Sequence, residues 1–190
     1  MCDDYLMLPF KGVYRYARWG PNRLRRHVYP VPDPRNPFLG VHATVTVSGR
    51  TKIGPTAIPV FSRENYQSLL DLRPGEVPSI AAGLGKFLAS DAHESWGLVA
   101  TEPRKYSHRV LAREAAELVP AIRPQDFIER GRPGIRAQLV HRSTGALEMD
   151  FVVRGDAHST HVLNAVSPAW TSSLAFAKHV VDDLVARTRS

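Results

Sequence analysis

Two stretches near the end of the chain carry residue types that could do chemistry together. Pro133-Gly134-Ile135-Arg136-Ala137-Gln138 sets an always-charged guanidinium at the end of a predicted strand, where it suits a planar carboxylate. Some two dozen residues later, His161 to Ala165 reads as a short buried strand. It runs through Val166-Ser167-Pro168 into a helix that begins near Ala169 and includes Trp170, Thr171, Ser172 and Ser173. Ser167 suits the N-cap and Pro168 the first helical position. The first turn of such a helix directs unpaired N–H groups and a positive dipole end at an anion or an electron-rich carbonyl. Together the two stretches predict a site for a redox ring and an acidic substrate.

The elements that must position these groups follow from the hydrophobic pattern. Tyr5 to Phe10 and Val13 to Ala17 read as strands broken at Lys11-Gly12. An arginine-rich loop follows. His27 to Val31 is short and extended, and Pro30, Pro32, Pro34 and Pro37 stiffen the crossing after it. Phe38 to Val47 alternates Val41, Ala43, Val45 and Val47, a strand signal. Ser48-Gly49 is then a hairpin turn, and Thr51 to Ile53 returns until Gly54-Pro55 ends the pairing. Helices are predicted over Arg63 to Leu72, Val77 to Leu88, Ser90 to Ala100 and Lys105 to Val119. A hairpin, Ile135 to His141 and Leu147 to Val153, crosses Ser143-Thr144-Gly145, and Ala169 to Ala186 closes the chain as a helix. Strands, then helices, then strands predict an α+β fold on a largely antiparallel sheet with packed helices.

Composition narrows the classes. A chain of 190 residues, 43% apolar, can bury a core. A single cysteine, Cys2, excludes an internal disulfide framework and fits a reducing cytoplasm. No apolar run approaches the ~18 residues of a membrane span. Asp3 and Asp4 precede the first apolar run, unlike a secretory signal. The net charge of +7 is concentrated in Arg15, Arg18, Arg23, Arg25 and Arg26, beside Tyr14, Tyr16 and Trp19. Such interleaving could grip a nucleic-acid backbone, yet no nucleic-acid module accompanies it, and a solvated arginine-rich loop is the preferred reading. A third reading is that an acidic companion segment is missing. Gly83-Leu84-Gly85-Lys86 lacks the third glycine of a dinucleotide fingerprint and sits in a helical pattern. No Walker run, zinc-type spacing or nucleophile elbow occurs, and no metal site is expected. Trp96 and Trp170 read as core or interface side chains. Tyr5 to Phe10 is core-like β sequence with almost no lead-in, from which an upstream segment is expected.

An ordered series of short motifs carries a resemblance. Lys11-Gly12-Val13-Tyr14 follows Pro9-Phe10. Next come Tyr29-Pro30-Val31-Pro32-Asp33-Pro34, Pro37-Phe38-Leu39-Gly40-Val41-His42 and Gly54-Pro55-Thr56-Ala57. Gly134-Ile135-Arg136-Ala137-Gln138 and Asn164 to Ser172 complete it. The series resembles the C-terminal half of the FAD-dependent L-2-hydroxyglutarate oxidases and dehydrogenases, within the D-amino-acid-oxidase-like flavoproteins. The resemblance implies a substrate domain in residues 1–132. It implies that residues 133–190 bring a hairpin, a strand and a closing helix to the FAD site. The Gly-x-Gly-x-x-Gly cradle for FAD would lie in an N-terminal half, or in a partner chain, outside this sequence, and without it the chain would be inactive. The implied reaction takes a 2-hydroxy acid to its 2-oxo acid with hydride passing to flavin. The chain departs from the family at Val13 (usually Glu), Thr56 (usually Asn), Val166 (usually Pro) and Trp170 (usually Ala), which leaves the exact substrate open.

The resemblance and the residue types together assign roles. Arg136 is expected to hold the substrate carboxylate, with Lys11 and Tyr14 as further substrate contacts. His42, whose ordinary pKa of about 6.5 suits proton acceptance, is the expected base. Gly134, Ile135, Arg136, Ser167, Pro168, Ala169, Thr171 and Ser172 are expected against the flavin. The competing reading is a truncated, non-catalytic remnant, a basic module for acidic ligands or nucleic acid.

Overall fold

The computed structural model describes residues 3–31, 38–67, 69–90, 94–156, 158–166 and 169–188. Its centre is β1 (Tyr5–Gly12), a strand apolar on both faces and therefore buried on both. Antiparallel partners flank it: β5 (Ile58–Pro59) on one edge and β7 (Gly134–His141) on the other. Every residue of β1 has a partner in β7, from Tyr5 opposite His141 to Gly12 opposite Gly134. Leu6, Leu8 and Phe10 share one face and pack on α1 (Val77–Ser90) through Ile80 and Phe87, with Leu98 of α2 (Ser95–Thr101) beside them. Fully burying each of these large side chains contributes about 1.5–3 kcal/mol. Tyr5, on the other face, packs with Leu139 and Val152.

A second sheet runs β3 (His42–Val45), β4 (Thr51–Gly54), β2 (Arg15–Tyr16) and β6 (Glu129–Arg130), all antiparallel. Its inner face carries Ala43 and Ile53, against which α3 (His108–Leu118) sets Leu111, Ala112 and Ala115. The two alanines let helix and sheet approach closely. Arg15, one member of the arginine cluster, is buried here and donates to the carbonyls of Ile128 and Tyr106 at 3.3 and 3.1 Å. It is a structural strut, whereas Arg18, Arg23, Arg25 and Arg26 are exposed. A third pair, β8 (Val152–Gly155) with β9 (Thr160–Asn164), covers the outer face of the first sheet. The fold is α+β with antiparallel sheets and four α-helices among the described residues. No helix there is long and apolar enough to cross a membrane.

Several expectations need correction. The first two strands part at Val13-Tyr14 instead of Lys11-Gly12, because the ladder to β7 continues to Gly12. The helix expected over Arg63 to Leu72 shrinks to a single 3-10 turn at Leu69–Asp71. A side-chain carboxylate takes a backbone donor that a helix would use: Asp71 accepts from the Gln67 N–H at 2.6 Å, the donor that would otherwise bond the Arg63 carbonyl. The strand expected from Phe38 begins only at His42. The turn at Ser143-Thr144-Gly145 forms, but beyond a bridge between Val140 and Leu147 the return segment leaves the sheet and pairs with β9. Buried Gln138 and Asn164 bind the backbone carbonyls of Glu148 and Asp150 along that irregular stretch. The closing helix, α4 (Ser173–Thr188), starts later than Ala169 and buries none of its residues. Trp96 and Trp170 are both exposed, 62% and 93%, so neither is a core side chain.

Gly145 adopts φ +74°, and a Cβ there would collide with the Lys86 carbonyl and Ser90 on α1. Gly85, inside α1, has open space around it. Gly145→Ala is therefore expected to lower the free energy of unfolding by at least about 1 kcal/mol, while Gly85→Ala raises it by about 0.5–1 kcal/mol. Chemical denaturation of the two variants checks both signs.

Candidate functional site

The β1–β7 ladder ends beside the second sheet, and a cavity of about 410 Å³ opens there. Its walls come from the strand ends at Phe10, Gly12 and Gly134–Arg136, the segment Phe38–Gly40 leading to His42, the turn Pro55–Ala57, Tyr14 and Glu102. Arg136 lies opposite Phe10 in the ladder, so both project from the same face toward this cavity. The guanidinium sits 5.0 Å over the Phe38 ring. Burial pulls its pKa below the ordinary arginine value, and it has no carboxylate partner among the described residues. A half-buried cation without a counter-ion is costly and favours an incoming anion.

His42 starts β3 on the same cavity. Its Nδ1 lies 3.0 Å from the Gly40 carbonyl, and its ring lies 4.5 Å from that of Tyr29. A carbonyl only accepts, so Nδ1 carries the proton and Nε2 keeps the lone pair. Gly40 holds φ +78°, a conformation glycine adopts freely, and so turns its carbonyl back on the ring. Burial, above all, lowers the His42 pKa; the Gly40 bond opposes it in part, and Lys52 and His27 add to the lowering. The neutral, proton-accepting form therefore prevails at neutral pH.

The turn Pro55–Ala57 is fixed from two sides. The Thr56 hydroxyl donates to the Lys11 carbonyl at 2.8 Å and accepts from the Val13 N–H at 3.0 Å, pinning the end of β1. Glu102 accepts from the Ala57 N–H at 2.6 Å and pairs with Lys105 at 2.5 Å, which also reaches Glu114 at 2.9 Å. Burial works against charge on Lys105, but the two carboxylates outweigh it and hold its pKa above the ordinary value. Sequence reasoning missed Glu102 and Phe38 as site residues. Glu102 opens a helical turn far along the chain from the other lining residues, and only the three-residue spacing to Lys105 hinted at a pair.

Of the residues expected to bind substrate or cofactor, Tyr14, His42, Gly134, Ile135 and Arg136 line one cavity. Burial raises the Tyr14 pKa, so its phenol stays protonated. Lys11 is buried, but alternation along β1 turns it away from the face that carries Phe10 and Arg136, and it does not line the cavity. Burial lowers its pKa, offset in part by Asp71. Ser167 and Pro168 lie outside the described residues. Ala169, Thr171 and Ser172 precede the helix instead of forming its first turn, and none of the three lines the cavity. The helix-terminus geometry expected at 168–172 is thereby corrected: the Phe176 N–H bonds to the Ser172 carbonyl, which puts the first helical turn after Ser172.

Comparison with known proteins adds independent findings. A family model described as FAD dependent oxidoreductase, the DAO family, matches residues 1–183. The chain is 36% identical over 173 residues to an L-2-hydroxyglutarate dehydrogenase of Indibacter alkaliphilus, covering 90% of this chain and 42% of that protein. It is 35% identical over 189 residues to the mitochondrial L-2-hydroxyglutarate dehydrogenase of Nematostella vectensis, and 34% over 193 residues to that of Homo sapiens. These matches cover 95% and 97% of this chain and 40% of each relative. The chain thus spans about two fifths of the length of the curated relatives it matches, in their C-terminal part.

The electrostatics of His42 can be tested directly. Its imidazole resonances, followed by NMR in the folded chain, should titrate with a midpoint below the ordinary value of about 6.5. Between that value and the folded midpoint the unfolded chain binds the proton first, so this group's contribution to stability is lost as pH falls through the window. A midpoint at or above the ordinary value would contradict a buried, neutral ring.

Proposed function

Since the chain belongs to the DAO family of FAD-dependent oxidoreductases, we propose that it forms the substrate side of such an enzyme's active site, and that the enzyme oxidises a 2-hydroxy acid, L-2-hydroxyglutarate foremost, to the 2-oxo acid. The observation that carries this reading is the half-buried Arg136 guanidinium, without a carboxylate partner among the described residues, sharing one cavity with a neutral His42.

The cavity suits a flavin ring on its own terms. Phe10, Phe38, Leu39, Pro55 and Ile135 give it mostly apolar walls, as a flat aromatic ring requires. Gly12 and Gly134 face each other at the ladder's end, and a Cβ built on Gly134 would meet nothing within 4 Å. The backbone at Gly134 is thus open to a planar group, while Pro55 packs over Gly12. FAD, when bound, supplies the acceptor for the hydrogen and electron pair that leave C2 of the substrate. Gly134 and Ile135 would lie against it, and its dinucleotide cradle would come from outside these residues.

This chain's own residues then perform three tasks. Arg136 fixes the C1 carboxylate through paired N–H donors and so orients C2. His42 Nε2 receives the hydroxyl proton as the carbonyl forms, its orientation held by the Gly40 carbonyl. The aromatic walls exclude water, which strengthens the Arg136 attraction for a carboxylate.

Co-expression with a family FAD-binding segment, followed by anaerobic mixing with 2-hydroxy acids, tests the reading. Bleaching of the flavin absorbance by L-2-hydroxyglutarate is expected. Arg136→Ala should lower kcat/KM by about 10²-fold, the loss that follows removal of one partner from a desolvated charge pair. Flavin left oxidised by every 2-hydroxy acid, or an Arg136→Ala variant with unchanged kinetics, would overturn it.

A further inference from the structure

A second unpaired cation stands beside the same cavity on the other sheet. Lys52 lies on β4 directly opposite Thr44 of β3 and Tyr16 of β2. His42 is opposite Gly54, two residues along β4, so Lys52 and His42 project from one face as diagonal neighbours. Such neighbours have Cβ atoms about 7–8 Å apart, within reach of a long side chain. The Lys52 ammonium rests 4.5 Å from the ring centre of Tyr14, which lines the cavity with His42. Two other cations of this region are held by acids: Arg50 by Glu129 at 2.6 Å, and Lys105 by Glu102 and Glu114. Lys52 has no carboxylate partner among the described residues.

We propose that Lys52 is the second anion contact of this cavity and that, with Arg136 on the first sheet, it selects 2-hydroxy acids bearing a second carboxylate. The inference rests on the function proposed above and deepens it. Each permanent cation matches one carboxylate. Arg136 takes the first in a fixed planar geometry, and Lys52, a point charge on a flexible four-carbon stem, follows the second. The cation–π contact to Tyr14 is a weak resting place that a carboxylate readily replaces. The positive charge of Lys52 also disfavours a second proton on His42, which is consistent with its nearness to the proton-accepting group.

Isothermal titration of the 190-residue chain with L-2-hydroxyglutarate and with the one-carboxylate L-2-hydroxybutyrate tests this. Lys52→Met should weaken the diacid about tenfold and the monoacid by less than about twofold, the difference being one charge-assisted contact. Lys52→Arg should restore the diacid. Equal losses for both acids, or no loss for either, would overturn the role of Lys52. If Arg136→Ala removes binding of both acids while Lys52→Met leaves both intact, only this inference falls. If the unmodified chain binds neither acid even when co-expressed with the FAD-binding segment, the Arg136 clamp falls with it.

Discussion

The site depends on the register of one pair of strands. β1 and β7 are matched from Tyr5 with His141 to Gly12 with Gly134, and this places Phe10 and Arg136 on one face. A slip of a single residue would turn every side chain of β7 to the other side. Arg136 would then face the β8–β9 layer, and Gln138, now buried and bonded to the Glu148 carbonyl, would lose its partner. The register is held by burial on both faces: Leu6, Leu8 and Phe10 against α1, and Tyr5 with Leu139 against Val152. The position of the guanidinium is therefore a consequence of core packing, and the site inherits the rigidity of the core.

The segments read most accurately from sequence were those with strict periodicity. α1 and α3 repeat apolar residues at helical spacing, β1 is a long apolar run, and β7 ends in the buried pair Leu139-Val140 before a turn signal at Ser143-Thr144-Gly145, so their existence was legible. Segments governed by side-chain capture were not. The stretch 63–67 has helical composition, but the Asp71 carboxylate takes the Gln67 N–H, and hydrophobic periodicity carries no signal for such a side-chain acceptor. The return strand after Gly145 was likewise read as a partner of β7, because alternation gives the face of a strand but not its neighbour. Asn164 and Gln138 hold that stretch in an irregular path through bonds that span the fold.

The site divides along the same line. Arg136 and His42 stood out by residue type within short motifs, and the fold brings both to one cavity with Tyr14 and Gly134. Thr56, where the family favours Asn, uses both its hydroxyl donor and its acceptor on the β1 backbone. That departure bears on how the wall is anchored more than on what the cavity can recognise. Trp170, a second departure, is exposed and does not line the cavity. Lys52 drew no notice in the sequence, because a lysine in a hairpin strand usually faces solvent. Only the diagonal relation to His42 and the contact with Tyr14 give it meaning.

Charge around the cavity separates into two populations, and the separation is informative about function. Lys105 is saturated: two carboxylates hold it, and through Glu102 it fixes the Ala57 backbone, so α3 and its core brace the cavity wall. Removing Lys105 would leave the buried Glu102 carboxylate uncompensated, which makes this network a structural brace rather than a ligand site. Arg136 and Lys52 are the reverse, each resting on an aromatic ring instead of an acid. Aromatic faces support a cation without neutralising it. The positive charge of Arg136 therefore stays unneutralised at the cavity it lines, which favours an entering anion. A chain that merely carried excess basic residues would leave them on solvated loops, as it does with Arg25 and Arg26. Arg136 rests on Phe38 at the cavity that His42 also lines, and Lys52 rests on Tyr14 in the sheet that carries His42, so each sheet keeps a cation that no acid among the described residues neutralises.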